Sequence, residues 1–151
     1  MKIKVLFGVL LVVGFAEGAV AACGGGTRVN GNDAVANLLR GKTVCHRTPG
    51  NPDWNWQEYH NPNKTLTDYK RGPFDPVDHS EDVGNWSTEN LGTVQNRDEV
   101  VIYDYGTGGK YSYRIYNQGG TYDFCAVQSG GTDVTGATLV EGNGGCGDQS
   151  M

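Results

Sequence analysis

The sequence predicts an all-β protein: an antiparallel meander of about eight strands forming a barrel or half-barrel, with one short N-terminal helix. Three features of the 151 residues lead there. From Lys42 onward, short β-rich runs are separated by Gly, Pro and Asn clusters, the punctuation of strands and turns. Two Gly-rich turns, Gly106-Thr107-Gly108-Gly109 and Asn117-Gln118-Gly119-Gly120, sit between alternating segments, as successive hairpins require. A helical apolar spacing appears at Val35, Leu38 and Leu39.

The first element is a secretory signal over residues 1–21. Lys2 and Lys4 precede an apolar and glycine run from Val5 to Ala16. That run is shorter than the about 20 residues a membrane span needs, and Glu17 ends it, so no transmembrane segment is expected. Ala19-Val20-Ala21 fits ordinary signal peptidase, whereas Val20-Ala21-Ala22-Cys23 resembles a bacterial lipobox that would place lipid on Cys23. The four cysteines Cys23, Cys45, Cys125 and Cys146 favour the first route. All four can pair in an oxidising compartment, while lipidation leaves an odd one. A soluble protein of the periplasm or extracellular space is expected, with a lipid anchor at Cys23 as the alternative.

The mature chain, about 130 residues, is one domain by length. Losing two lysines and one glutamate with residues 1–21 moves the net charge from −5 to −6. An acidic domain without a basic stripe repels phosphate backbones, so nucleic acid and anionic membrane surfaces are excluded as expected partners.

Residues 22–32, with Gly24-Gly25-Gly26, read as a flexible leader. Asn32-Asp33 offers an N-cap to a helix over 34–40, and Gly41 a left-handed residue to end it. Its expected role is to plug one end of the sheet. Strands are expected at 42–46, 54–60, 65–70, 85–90, 99–105, 110–117, 121–128 and 137–141, within a single β domain over 33–141. Gly-rich residues 142–151 mirror the leader as a flexible tail. In the last hairpins, one face is expected to carry Tyr111, Tyr113, Ile115, Tyr122 and Phe124, and the other Tyr103, Tyr105 and Tyr116.

Cys45 and Cys125 fall inside expected strands, and Cys23 and Cys146 in the tails. The economical pairing is Cys45 with Cys125 and Cys23 with Cys146, one of three connectivities. Its first bridge would close a loop of about 80 residues and contribute on the order of 4 kcal/mol.

No Gly-x-Ser-x-Gly elbow, H-E-x-x-H, phosphate loop or C-x2-C pair appears, so no cofactor or metal is expected. Asp75, Asp78, Glu81 and Asp82 match no standard calcium loop and read as a solvated acidic connection. Asn63-Lys64-Thr65 and Asn85-Trp86-Ser87 fit the glycosylation sequon, which matters only in a eukaryotic secretory path. Glu58 and His60 share a strand face with Trp54 and Trp56, and Asp68 lies on the next strand. These three are acid/base candidates only if they converge in one cleft.

Three tryptophans and eight tyrosines are the remaining lead. Most must form the core, because leucine and isoleucine are scarce. Trp54, Trp56, Trp86, Tyr103, Tyr105 and Tyr116 are the candidates for a surface that stacks on a glycan or lines a small-molecule pocket. The expected function is a non-enzymatic exported binding module. The alternative is a structural or interaction protein of the cell envelope or an extracellular assembly, using strand edges and the tail cysteines between copies.

At Leu38-Leu39-x-Gly41-x-Thr43-Val44-Cys45, Trp56-Gln57-Glu58, Asp68-Tyr69-Lys70-x-Gly72-Pro73-x-Asp75-Pro76-Val77-Asp78, Val83-Gly84-x-Trp86-Ser87 and Tyr122-x-Phe124-Cys125, the chain resembles an uncharacterised group of small exported proteobacterial proteins. The resemblance implies that Cys45–Cys125 is the common staple and the terminal cysteines additions. It brings no activity with it. The order of short helix, meander and Gly-x-Trp also looks distantly lipocalin-like, although Gly84-Asn85-Trp86 lies mid-chain rather than on a first strand.

Overall fold

The computed structural model describes residues 23–47, 56–68, 81–143 and 146; the expected signal peptide, Trp54, Asp75, Asp78 and the last residues lie outside the described residues. The elements are β1 (Thr27–Arg28), α1 (Ala34–Leu39), β2 (Lys42–His46), β3 (Trp56–His60), β4 (Thr65–Asp68) and β5 (Glu81–Asn90). They continue with β6 (Glu99–Asp104), a 3-10 turn (Gly106–Gly108), β7 (Lys110–Asn117), β8 (Tyr122–Ala126) and β9 (Val134–Glu141). From β2 to β9 each strand pairs antiparallel with its sequence neighbour, and β9 returns to β2 from Lys42↔Glu141 to Cys45↔Thr138. The result is a closed eight-stranded up-and-down barrel. Closure pairs the edges that a half-barrel would leave open.

Strand alternation sends Val44, Leu66, Trp86, Val101, Tyr103, Ile115, Phe124 and Ala137 into the barrel, where they are almost wholly buried. With few leucines available, rings supply the volume. Trp86 satisfies its one polar atom by donating from Nε1 to the Asn61 carbonyl at 3.0 Å. Trp56 meets Phe124 edge-on with centroids 6.1 Å apart.

Six residues are too few for α1 to hold itself helical. It buries Val35, Ala36 and Leu39 against the barrel and so plugs one end. Asp33, the expected N-cap, has φ 55° and makes no side-chain cap bond. The Glu99 carboxylate of β6 instead accepts the Val35 amide at 3.3 Å, placing negative charge at the helix start. Gly41, at φ 74°, takes the left-handed conformation expected after the helix.

Three expectations are corrected. The first is the disulfide pairing: the bridges are Cys23–Cys125 and Cys45–Cys146, each with Cα atoms 5.7 Å apart. Cys45 lies on β2 and Cys125 on β8, with β9 between them. Strands two apart are separated by about 9–10 Å, beyond the roughly 7 Å a disulfide tolerates. Each strand cysteine points outward and takes the tail that crosses it.

The second is the leader. Residues 23–32, expected to be flexible, are held in the sheet: β1 pairs with the end of β7 that β6 leaves free, at Thr27↔Asn117 and Arg28↔Tyr116, and Val29 packs against the core. Arg28 donates to Asp98 at 2.6 Å and sits 5.3 Å from the Tyr116 ring centre, while Arg114 donates to the same carboxylate. Of the tail, Gly142 and Cys146 are held too, through Thr43 Oγ1 donating to the Gly142 carbonyl and the Cys146 amide donating to Gln57.

The third concerns the two faces. Tyr103 pairs with Tyr111 and Val101 with Tyr113, and direct partners share a face. Tyr103 and Tyr105 therefore point inward with Tyr111 and Tyr113, while Tyr116 points outward.

Peptide mapping without reduction should recover Cys23 linked to Cys125 and Cys45 linked to Cys146. Each bridge spans about one hundred residues. Cys146→Ala should lower unfolding free energy by about 2–5 kcal/mol in a urea titration, and Trp86→Ala by about 3–5 kcal/mol.

Candidate functional site

The two ends of the barrel differ. Helix α1 and the turns at 61–64, 91–98 and 118–121 occupy one. At the other, β2 leaves at His46, β3 enters at Trp56, β4 leaves at Asp68, and the 3-10 turn and residues 127–133 form connections. Here the side chains enclose an open cavity of about 380 Å³, walled by Trp56, Tyr105, Tyr111 and Tyr113 and completed by His46, Glu58, Asp68, Thr132 and Val134.

Glu58 reaches this site because it follows Trp56 by two residues on β3, so both point inward. The register sets Glu58 opposite Asp68, which brings two carboxyl groups side by side. Glu58 is only 3% exposed, and the Tyr105 hydroxyl donates to its two oxygens at 2.7 and 2.9 Å. Burial pushes the Glu58 carboxyl up to about 7, with Asp68 adding to the rise and the bonds from Tyr105 and Trp56 opposing it. The Tyr105 hydroxyl is raised far above its ordinary value by burial and by Glu58, and so remains a donor. At the rim, Gly84 of β5 runs so close to the Asp104 carbonyl that no Cβ would fit.

His60 lies one inward position deeper. It is fully buried, its Nε2 is 2.9 Å from the Tyr103 hydroxyl, and its ring meets Trp86 at 5.3 Å. Burial pushes its imidazole down to about 3, keeping it neutral. The three acid/base candidates therefore do not share a cleft. Glu58 and Asp68 meet in the cavity, and His60 belongs to the packed floor.

Of the expected binding rings, Trp56 and Tyr105 line the cavity. Tyr103 lies beneath it, and Trp86 is core, with the Lys64 ammonium 3.7 Å from its ring centre. Tyr116 sits on the outer wall under Arg28. Trp54 lies outside the described residues. Sequence reasoning does not single out His46, Tyr111 and Tyr113 for the site. The signal that could find the two tyrosines is hairpin register: pairing Tyr103 with Tyr111 brings Tyr103, Tyr105, Tyr111 and Tyr113 to one face and leaves Tyr116 on the other. Asp82, from the expected acidic loop, accepts from Thr67 Oγ1 at 3.0 Å. Among the described residues, no group of three His, Cys, Asp or Glu gathers to hold a metal ion, and no helix is long and apolar enough to cross a membrane.

The geometry defines a closed antiparallel barrel, plugged at one end and open at the other to an aromatic pocket bearing two carboxyl groups. No protein-family model, curated protein or solved structure compared with this chain matches it.

Folding raises the Glu58 pKa from 4.5 to about 7, so its contribution to stability is fully present below pH 4.5 and lost as pH rises through 7. Glu58→Gln should therefore gain on wild type between pH 5 and pH 8, on the order of 1 kcal/mol per pH unit, in paired urea titrations. His60 acts with the opposite sign. Its pKa falls from 6.5 to about 3 on folding, so the protein loses stability as pH drops below 6.5, and His60→Gln should flatten that acid limb.

Proposed function

We propose that this chain is an exported binding protein that takes a small molecule at the open end of its barrel and performs no chemistry on it. The observation that carries this reading is the cavity of about 380 Å³ walled by four aromatic rings. Its size falls within the roughly 300–1,000 Å³ of small-molecule sites, which combine apolar walls with a few convergent polar groups. Eight strands also make a barrel just wide enough to hold one small ligand. A glycan fragment stacking on Trp56 is the second ligand class this wall accommodates.

The alternative, an assembly protein, draws on open strand edges and on tail cysteines pairing between copies. Closure of β9 onto β2 and pairing of all four cysteines within the chain weigh against it. Export is supported by the charged and apolar leader and by two disulfides, which form in an oxidising compartment. A Cys23 sulfur bonded to Cys125 has no thiol to accept lipid, which favours the soluble form.

Intact mass of the secreted protein, reduced and non-reduced, should show a cut between Ala21 and Ala22, no diacylglycerol and a loss of four hydrogens to two bridges. Diacylglycerol on Cys23 would overturn the soluble assignment. For the pocket, thermal-shift titration against small aromatic compounds and saccharides should raise the melting temperature in at least one class. Trp56→Ala should weaken that ligand tenfold or more. No shift from any class at millimolar concentration would sink the binding reading.

A further inference from the structure

Resting on that reading of the pocket, we propose that its ligand is a saccharide chain of two or more units, one stacked on Trp56 and Tyr111 in the barrel mouth and the next hydrogen-bonded in a groove beside Tyr105 on the outer wall. The groove is a second cavity, of about 480 Å³, lined by Thr65, Asp82, Gly84, Asn85, Asp104 and Gly106. Tyr105 belongs to the walls of both cavities, so a ligand that leaves the mouth past this ring enters the groove.

Strand alternation builds the groove. Trp86 and Tyr103 are a direct pair pointing inward, so the next pair along, Asn85 and Asp104, points outward, and Thr65 opposite Asn85 does the same. Asp82 shares that face, since it accepts from Thr67, its register partner. One step past Asn85 and Asp104, the register sets Gly84 beside Tyr105, where a Cβ would clash with the Asp104 carbonyl. That position therefore adds no side chain between the Tyr105 ring and the groove.

The two cavities present different chemistry to one ligand. In the mouth, the Tyr105 hydroxyl is committed to Glu58, and the Tyr111 hydroxyl donates to the Gly108 carbonyl at 3.0 Å. These rings therefore offer faces rather than hydroxyls, and Tyr111 is held exposed in that pose before any ligand arrives. In the groove, polar side chains prevail. Asp82 accepts from Thr67, and Asp104 accepts from the Gly106 amide at 3.0 Å with the Lys110 ammonium 3.8 Å away. A carboxylate has about four acceptor sites, so each keeps capacity for a ligand hydroxyl, and Asn85 adds an amide. A flat aromatic compound answers the mouth alone. A saccharide answers both, because each unit carries an apolar C–H face and a rim of hydroxyls that donate and accept. An extended peptide fits less well: β5 is paired with both β4 and β6 at Asn85, which leaves no strand edge there for a peptide backbone.

The test is calorimetric titration of the full mature protein with maltotriose, cellotriose and N-acetylchitotriose, with glucose and N-acetylglucosamine as their single units, and with 2-phenylethanol. At least one trisaccharide should bind more tightly than its own monosaccharide by about tenfold or more. Tyr111→Ala should weaken that trisaccharide about tenfold, whereas Tyr111→Phe, which keeps the ring, should cost less. In the groove, Asn85→Ala and Asp104→Asn should each lower trisaccharide affinity by about three- to tenfold and leave monosaccharide affinity unchanged. Asn85 is exposed, so its truncation leaves the fold intact, and Asp104→Asn keeps an acceptor for the Gly106 amide. A trisaccharide that binds no more tightly than its monosaccharide, or one indifferent to both groove variants, overturns the two-cavity assignment. Binding of 2-phenylethanol without binding of any saccharide overturns it too and leaves the pocket reading standing. If no probe binds at millimolar concentration, the saccharide assignment and the pocket reading fall together.

Discussion

Lys42–Cys45 of β2 pair with Thr138–Glu141 of β9, and this ladder joins the last strand of the meander to the first. Much else depends on it. Once the sheet is closed, every strand has a fixed inside and outside, and the inside must be filled by whatever the alternation delivers. Near α1 that supply suffices: Val35, Leu39, Val44, Leu66 and Ile115 are fully buried. Toward the far end the inward positions are Trp56, Glu58, Asp68, Tyr105, Tyr111 and Tyr113. These are side chains with polar atoms at their ends, which line a space rather than fill it. The pocket arises where the apolar inward residues run out.

The same barrel treats its ionisable groups according to depth. His60, packed between Trp86 and Tyr103, is sealed in its neutral form. Glu58, one inward position nearer the mouth, stays close to its proton-transfer point at neutral pH because burial and Asp68 work against the bonds from Tyr105 and Trp56. On the outer wall, the hydrogen bond from Arg114 leads in holding the Asp98 carboxyl down to about 2, assisted by Arg28, and the group serves as a structural anion there. Three neighbourhoods thus give three protonation states, and the one left adjustable lies where a ligand can reach it.

Much of this is legible in the chain. The meander, most strand positions, the plugging helix and its left-handed Gly41 come from periodicity and turn chemistry. The features that escape sequence reasoning are long-range in each case. The cap of α1 comes from Glu99, 64 residues after Val35, and nothing local in Asp33 reveals that it stands aside. The cysteine pairing depends on β9 lying between β2 and β8, a fact of closure rather than of spacing. The tyrosine faces depend on a hairpin register that a 3-10 turn sets at Gly106–Gly108. The site is half legible for the same reason: Glu58 and Asp68 stand out as chemistry, but only the register puts them face to face and sends His60 below them.

The two disulfides overlap along the chain, one enclosing residues 23–125 and the other 45–146. Every peptide bond between Cys45 and Cys125 therefore lies inside both covalent rings, including those in the connections between β2 and β3 and between β4 and β5. A protease that nicks one of these connections leaves two fragments joined by two sulfur bridges, with both barrel halves still tethered. In a compartment that combines oxidising conditions with digestive enzymes, a single cut would then separate no part of the molecule from the rest.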